Sequence, residues 1–426
     1  MSEKERVYRH LTQDFIFPSR DPLWGHIYLS DGLKSILDSK IFRRLSGIRQ
    51  LGAAHLVYPG ATHTRLNHSL GVLEITKRTL LSLMKFESLD FVTIEGAKAL
   101  LCAALLHDVG HFPYAHSLKE LPLIDHERLT AQLIMDSELT PLVSRLGARP
   151  EVVAAIVDLE STVFEDDELR LFRRILSGVL DPDKLDYLNR DAFFCGVSYG
   201  TQDIDFVLSK LSYDPGAGML LDLDGVTAVE NILFSKYLMY RTVYWHKTVR
   251  AATAMIKKAV YSALVDGEIR THDLYGIDDE EFSRRFSGSS YPPFELIAKV
   301  ATRTLHAPIL EMSAESNPEL LERVASLDGR AVLESEIAKE LSVRAGSSFT
   351  TNAVIIDIPE PISFEADLMI DLGDRLIPFP ESGSVFDRAA VSRFSQALRQ
   401  IRLFVDPLLR SAVDDPASLL RIGLGT

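Results

Sequence analysis

Leu105-Leu-His-Asp-Val-Gly-His-Phe-Pro-Tyr-Ala-His116 is the stretch on which the reading of this chain turns. Leu100, Leu101, Ala104 and Leu105 recur at helical spacing, so an apolar helix delivers His107 and Asp108 to its C-terminal end. Gly110 follows closely, and Pro113 cannot extend a regular hydrogen-bond ladder, which ends the helix there. An imidazole nitrogen beside a carboxylate oxygen suits a first-row divalent ion or Mg²⁺. Taken alone, the same pair also describes a hydrogen-bonded helix end.

Two further segments, read outward from this centre, supply partners. Upstream, Thr62-His-Thr-Arg-Leu-Asn-His-Ser-Leu-Gly71 sets Arg65 three residues before His68 at the start of an amphipathic helix whose stripe runs through Leu66, Leu70, Leu73, Leu80 and Met84. Arginine offers a fixed fork of donors for phosphate oxygens, and His68 is a third candidate ligand. Downstream, Leu180-Asp-Pro-Asp-Lys-Leu-Asp-Tyr-Leu-Asn-Arg-Asp191 has a helix-start signature in Asp181-Pro182, which puts Asp183 in the first turn, a natural place for a fourth ligand. Lys184, Tyr187 and Asp191 then follow along one stripe, as they would on a solvated face or in a binding site. Lys236, Tyr240, Tyr244 and Lys247 fall within roughly 80° of one another at about 100° per residue. They suit a nucleotide, or equally tyrosines packed on a bundle with lysines snorkelling.

With these segments in place the chain resembles the HD-domain superfamily, and is similar to its deoxynucleoside triphosphate triphosphohydrolase branch. The matching pieces are Arg49-Gln-Leu-Gly52, Tyr58 to Val72, Leu106 to His116, Asp125-His-Glu127, Asp181 to Asp191 and Tyr244-Trp-His-Lys247, in the family's order. The resemblance implies a mainly α fold, the helical HD-domain fold, with His68, His107, Asp108 and Asp183 as ligands of a divalent metal ion (Mg²⁺, Mn²⁺, Fe²⁺, Ni²⁺ or Zn²⁺). It sets His111, His116 and His126 around the phosphates, with His116 as general acid for the leaving 5′-oxygen. It matches Arg65, Lys184 and Tyr187 to phosphate contacts, Gln50, Leu51 and Asp191 to the deoxyribose, and Tyr244, followed by Lys247, to the sugar's surroundings. The implied activity is hydrolysis of a deoxynucleoside triphosphate to deoxynucleoside and inorganic triphosphate, by attack of metal-bound hydroxide on the α-phosphorus. The alternatives are an HD phosphohydrolase of another nucleotide, either a monophosphate or a signalling nucleotide, and a nucleotide-sensing regulator. Animal members of the branch read a guanine-nucleotide activator through an aspartate, a glutamine and an arginine. Here those positions are Asp38, Arg43 and Ser46, so a nucleotide activator is an open expectation. Relatives form dimers, tetramers or hexamers, and a homo-oligomer is expected.

The rest of the chain sets bounds. Its 426 residues, 46% hydrophobic and 25% charged, can bury a substantial core. Sixty acidic against 46 basic residues leave a net charge of −14, which argues against nonspecific binding of duplex DNA but not against a local anion pocket. Cys102 and Cys195 have no CxxC partner, the first residues to Asp14 lack the apolar core of a signal peptide, and the longest apolar stretch, Ala99 to Leu106, is far short of the roughly 20 residues of a membrane span. A reduced, cytoplasmic protein without a membrane anchor is the expectation. Helical spacing runs from about Ile41 to Leu264. Asp214-Pro-Gly-Ala-Gly followed by Met219 to Asp224 reads as a small inserted β-hairpin, with helix resuming near Val226. Ser287-Gly-Ser-Ser-Tyr-Pro-Pro293 is the linker candidate, giving a catalytic domain over 1–285 and a mixed α+β C-terminal region over 286–426. In that region Ala353 to Pro359 and Leu368 to Pro378 read as strands and Val391 to Leu409 as helix.

Overall fold

A computed structural model describes residues 1–161, 166–362, 364 and 367–422. The fold is mainly α with small sheets, built around the helix Ile94–Leu106. Every residue from Ala99 to Leu106 in it is buried, which is why its sequence is apolar on all sides rather than striped. Thr93 caps its N-terminus by accepting from the Gly96 N–H. Against it pack the helices Arg65–Leu83 and Pro150–Val157, and the helix Pro182–Cys195 crosses the first of these. The start signals act as read: Arg65 is the first helical residue after Thr64, and Asp181 caps Pro182–Cys195 by accepting the Lys184 N–H at 2.6 Å.

Three sheets decorate this bundle. β1 (Phe17–Asp21) and β2 (Gly25–Leu29) form an antiparallel hairpin in a region for which periodicity gave no strand. β3 (Leu211–Asp214) and β4 (Gly218–Asp222) are the expected hairpin, and helix resumes at Val226. This hairpin does not stand alone. β5 (Ala307–Ser313) and β6 (Val354–Asp357) belong to another sheet, but β7 (Met369–Asp371) runs parallel to β4, with Leu220 opposite Met369, and β8 (Leu376–Pro378) pairs with β7. The stretch Leu368 to Pro378 is thus two short strands of a shared sheet.

The expectation of helix from Val391 to Leu409 is corrected. Helix Arg388–Leu398 ends there, and Gln400–Val405 is β9, the central strand between β5 and β6. Ile401 through Val405 are all buried, so both faces of β9 are covered and the strand loses the alternation that would have marked it. Ser287 to Pro293 leads from helix Asp279–Ser287 into a short 3₁₀ turn, and the flanking rings Phe286 and Phe294 pack at 5.1 Å. Helix Lys247–Val265 meets the C-terminal part closely: Lys258 Nζ donates to Glu334 and to the carbonyls of Thr351 and Val354, and Arg250 grips Asp357 at 2.8 and 2.5 Å. Among the described residues no helix is long and apolar enough to cross a membrane.

Candidate metal and substrate site

Three helix ends converge on one point. His68 lies one turn into Arg65–Leu83, His107 follows the last residue of Ile94–Leu106, and Asp183 stands in the first turn of Pro182–Cys195. The Nε2 atoms of His68 and His107 are 3.3 Å apart, and Asp183 Oδ1 is 2.8 Å from the first and 3.9 Å from the second. Asp108 stands slightly further off, Oδ1 at 3.5 Å from His107 Nε2 and Oδ2 at 3.9 Å from His68 Nε2. His68 Nδ1 faces Asp186 Oδ2 at 2.8 Å and His107 Nδ1 faces the Ala104 carbonyl at 2.9 Å. Both of those partners accept only, so both imidazoles carry a proton on Nδ1 and turn Nε2 to the same spot. With the Nε2 proton of His68 removed, the two ring nitrogens beside two carboxylates form an N₂O₂ set that fits a divalent cation. Burial works against a charge on His68, yet Asp183 and Asp186 outweigh it and push its pKa up to about 10. Burial likewise works against the carboxylates, but His68 holds Asp183 below the usual range and Arg65 does so for Asp108. The extra proton that His68 holds among these anions marks where a metal ion would sit.

Behind His68 lies a buried chain that sequence reasoning missed. Trp24 Nε1 donates to Asp186 Oδ1 at 2.5 Å, Arg190 grips Asp186 at 2.7 and 2.9 Å, and Arg190 also reaches Asp21 at 2.8 Å. Arg190 and Asp186 are both fully buried. Room for them comes from Gly71, where an added Cβ would lie 1.8 Å from Asp186 Oδ1 and 2.5 Å from Arg190 Nη2. The i, i+4 spacing of Asp186 and Arg190 was the available signal. A second glycine makes room in a similar way. At Gly110 a Cβ would meet the His126 carbonyl at 2.3 Å, so helix His126–Met135 can approach. Thr130 Oγ1 there accepts the Gly110 N–H and donates to the His107 carbonyl.

The predicted phosphate-side groups cluster next to the candidate metal ligands. Arg65 Nη1 donates to Asp108 Oδ2 at 2.7 Å. The rings of His111, His116 and His126 lie 3.8–5.3 Å from one another, and their ligand atoms all fall within 4.8 Å. Burial holds all three neutral, with His116 lowered to about 4 by burial and by Arg65. His111 is buried with neither ring nitrogen in a well-aligned hydrogen bond, although Nε2 is 3.2 Å from Asp108 Oδ1. Lys184 is turned to Asp181 and the Gly178 carbonyl.

These groups stand at a cleft of about 1060 Å³ whose walls include Gln50, Leu51, Arg65, His107, Asp108, His116, His126, Asp183, Lys184, Tyr187, Asp191, Lys236, Tyr240 and Tyr244. His68 and His111 lie behind the wall. At the other end of the cleft Tyr244 donates to Asp191 Oδ2 at 2.7 Å, and His63 Nε2 is 2.7 Å from Asp191 Oδ1. Burial raises Tyr187 and Tyr244 well above the ordinary phenol value, so both keep their protons. Lys247 is not brought in: it is exposed and absent from the cleft wall. The cause is a wide π turn over Tyr240–Tyr244, closed by Trp245 N–H to the Tyr240 carbonyl, after which Lys247 opens a new helix and breaks the assumed common face. Of the activator positions, Asp38 is tied to Lys34 and Arg43.

Residues 65–177 match the model of the HD domain, and residues 203–415 that of the HD associated region. Protein YwfO of Bacillus subtilis (strain 168) is 32% identical over 270 residues, 62% of this chain and 59% of that protein. Deoxynucleoside triphosphate triphosphohydrolase SAMHD1 of Danio rerio is 26% identical over 373 residues, 80% of this chain and 57% of that enzyme. The chain therefore spans less than two thirds of the length of either curated relative. A solved structure, of a hypothetical protein from Aquifex aeolicus, is similar with a TM-score of 0.72 and 26% identity over 93% of this chain and 99% of that one.

Proposed function

We propose that this chain, which belongs to the HD-domain family and carries its HD-associated region, is a metal-dependent phosphohydrolase that converts a deoxynucleoside triphosphate to deoxynucleoside and inorganic triphosphate. The observation that carries the reading is the convergence of the His68 and His107 Nε2 atoms with Asp183 and Asp108 beside one cleft, with cationic and imidazole groups near these four residues and tyrosines with a carboxylate further along. The likeness to SAMHD1 of Danio rerio supports the choice of substrate.

His68, His107, Asp108 and Asp183 would hold the divalent ion. When bound, it would neutralise charge on the phosphoryl group and lower the pKa of a water molecule beside it. The chain's own groups do the rest. Arg65 fixes a phosphate oxygen and stabilises the charge that builds there. His126 lines the polyphosphate as a neutral donor, with His111 packed against it from behind. As water oxygen adds to the α-phosphorus, its proton passing to solvent, the bond to the 5′-oxygen breaks, and His116, protonated once the polyphosphate anion is bound beside it, delivers its proton to that oxygen, releasing a neutral nucleoside. Burial of Tyr187 and Tyr244 keeps the sugar end dry and their hydroxyls protonated.

The test is a metal-supplemented panel of dNTPs and rNTPs with nucleoside and tripolyphosphate both quantified, run beside His107→Ala and Asp183→Ala. Equal amounts of the two products from a dNTP are expected. Each variant should lose at least about a hundredfold in rate, the order expected when a metal-dependent step loses its ion. Orthophosphate or pyrophosphate as product would sink the dNTP reading in favour of another nucleotide. Adding a second nucleotide during the same assay tests for an activator, and sizing in its presence tests for a homo-oligomer.

A further inference from the structure

At the sugar end of the cleft, His63, Asp191 and Tyr244 form a connected line of side chains. We infer that His63 is a positioning residue: it fixes the Asp191 carboxylate so that its free edge meets the 3′-hydroxyl of the substrate. The inference rests on the reading of the cleft as a deoxynucleoside triphosphate site, in which the 3′-hydroxyl is the one free hydroxyl of the sugar.

His63 is buried, its side chain fully so. A carboxylate accepts only, so the 2.7 Å contact from Nε2 to Asp191 Oδ1 places a proton on Nε2. Nδ1 is buried without a partner, and a second proton there would have no acceptor. The ring therefore has one satisfied donor, and that donor is spent on Asp191. Asp191 Oδ2 in turn accepts from Tyr244 at 2.7 Å. With one donor on each oxygen the carboxylate cannot swing about its last bond, and the lone pairs left over belong to a residue that lines the cleft.

His63 is itself fixed on both sides. Its ring stacks on Phe194 at 4.6 Å and 22°, and its carbonyl accepts the Gln50 N–H at 3.0 Å. Gln50 lines the same cleft, and its Oε1 is buried without a partner. One histidine thus sets a hydroxyl acceptor through its ring and a second wall residue through its backbone. Asp191 shares a rigid helix with Asp183, eight residues apart, so the hydroxyl contact and the metal ligand are held about 12 Å apart along one axis. Losing the His63 donor frees the carboxylate without touching the reacting phosphorus.

The experiment compares kcat and KM for one dNTP and its 2′,3′-dideoxy counterpart on the parent, His63→Phe and His63→Asn. Phenylalanine keeps a ring against Phe194 and removes the donor, whereas asparagine keeps a donor. In His63→Phe the preference for the dNTP is expected to fall about tenfold through its KM, while the dideoxy substrate is unchanged. His63→Asn should keep part of the preference, and it carries the comparison alone if the phenylalanine variant does not fold. An equal loss on both substrates, or an unchanged ratio, overturns the positioning role. A parent that releases no tripolyphosphate from any dNTP overturns the reading of the cleft, and the inference falls with it.

Discussion

The proton on His68 is the most telling single feature at the residue scale. In metal-free protein it is held between Asp183 and Asp186 with a pKa of about 10, so at neutral pH a metal ion must displace it. Loading chelator-stripped protein at pH 7 should therefore release about one proton per ion, and apparent affinity should rise with pH. Calorimetry in buffers of differing ionisation enthalpy reads this directly, and binding without proton release would contradict the ligand assignment. His116 gives a second expectation. Burial and Arg65 lower it to about 4 in the free protein, whereas a bound polyphosphate would raise it. As a general acid it is active when protonated, so activity is lost as pH rises through its pKa. The descending limb of kcat/KM should then lie at lower pH than that of kcat, and His116→Gln should remove both. Coincident limbs would argue for another acid. The convergence of the four candidate ligands was legible in sequence because each sits near a helix start or stop. Asp186 and His63 were not, since their meaning lies in partners far along the chain, at His68 and Asp191.

Among elements, the crossing of helices Arg65–Leu83 and Pro182–Cys195 is set by Gly71. Gly71→Ala forces the buried Asp186 and Arg190 apart and is expected to cost roughly 1–3 kcal/mol of stability, read by denaturant unfolding. Asp186→Asn keeps an acceptor for His68 but lowers its basicity. It should weaken metal retention by about 10–100-fold in a chelator competition, and unchanged retention would remove Asp186 from the site. The helices around the site could be read from start and stop signals: Asp181-Pro182 before one, Gly110 and Pro113 after another. The strand β9 could not, because Ile401 to Val405 are covered on both faces and carry no alternation. The π turn at Tyr240–Tyr244 was equally hidden, as one extra residue per turn leaves no mark in spacing, and it is what excludes Lys247.

On the scale of the molecule, the C-terminal part is bound to the helix that follows the site. Arg250, on the cleft wall, pairs with fully buried Asp357. Asp357→Ala strands that guanidinium and is expected to cost about 3–5 kcal/mol, while a double replacement of Arg250 and Asp357 by apolar residues should recover much of it. Ending the chain at residue 285 removes Ile355 and Phe404 from the core around Met255 and Ile256. Such a fragment should be poorly soluble, and the full chain should melt in one transition; a soluble, cooperatively folding fragment would show an independent catalytic domain. The HD core was legible because its motifs are local, whereas sheet partnership is a matter of distant pairing. That partnership has a consequence during synthesis. The β3–β4 hairpin can close as soon as it emerges, but the far edge of β4 stays bare until Met369 to Asp371 have left the ribosome. Through that interval the nascent chain carries an open strand edge, and it is there that a chaperone would find it or a neighbouring chain would mispair.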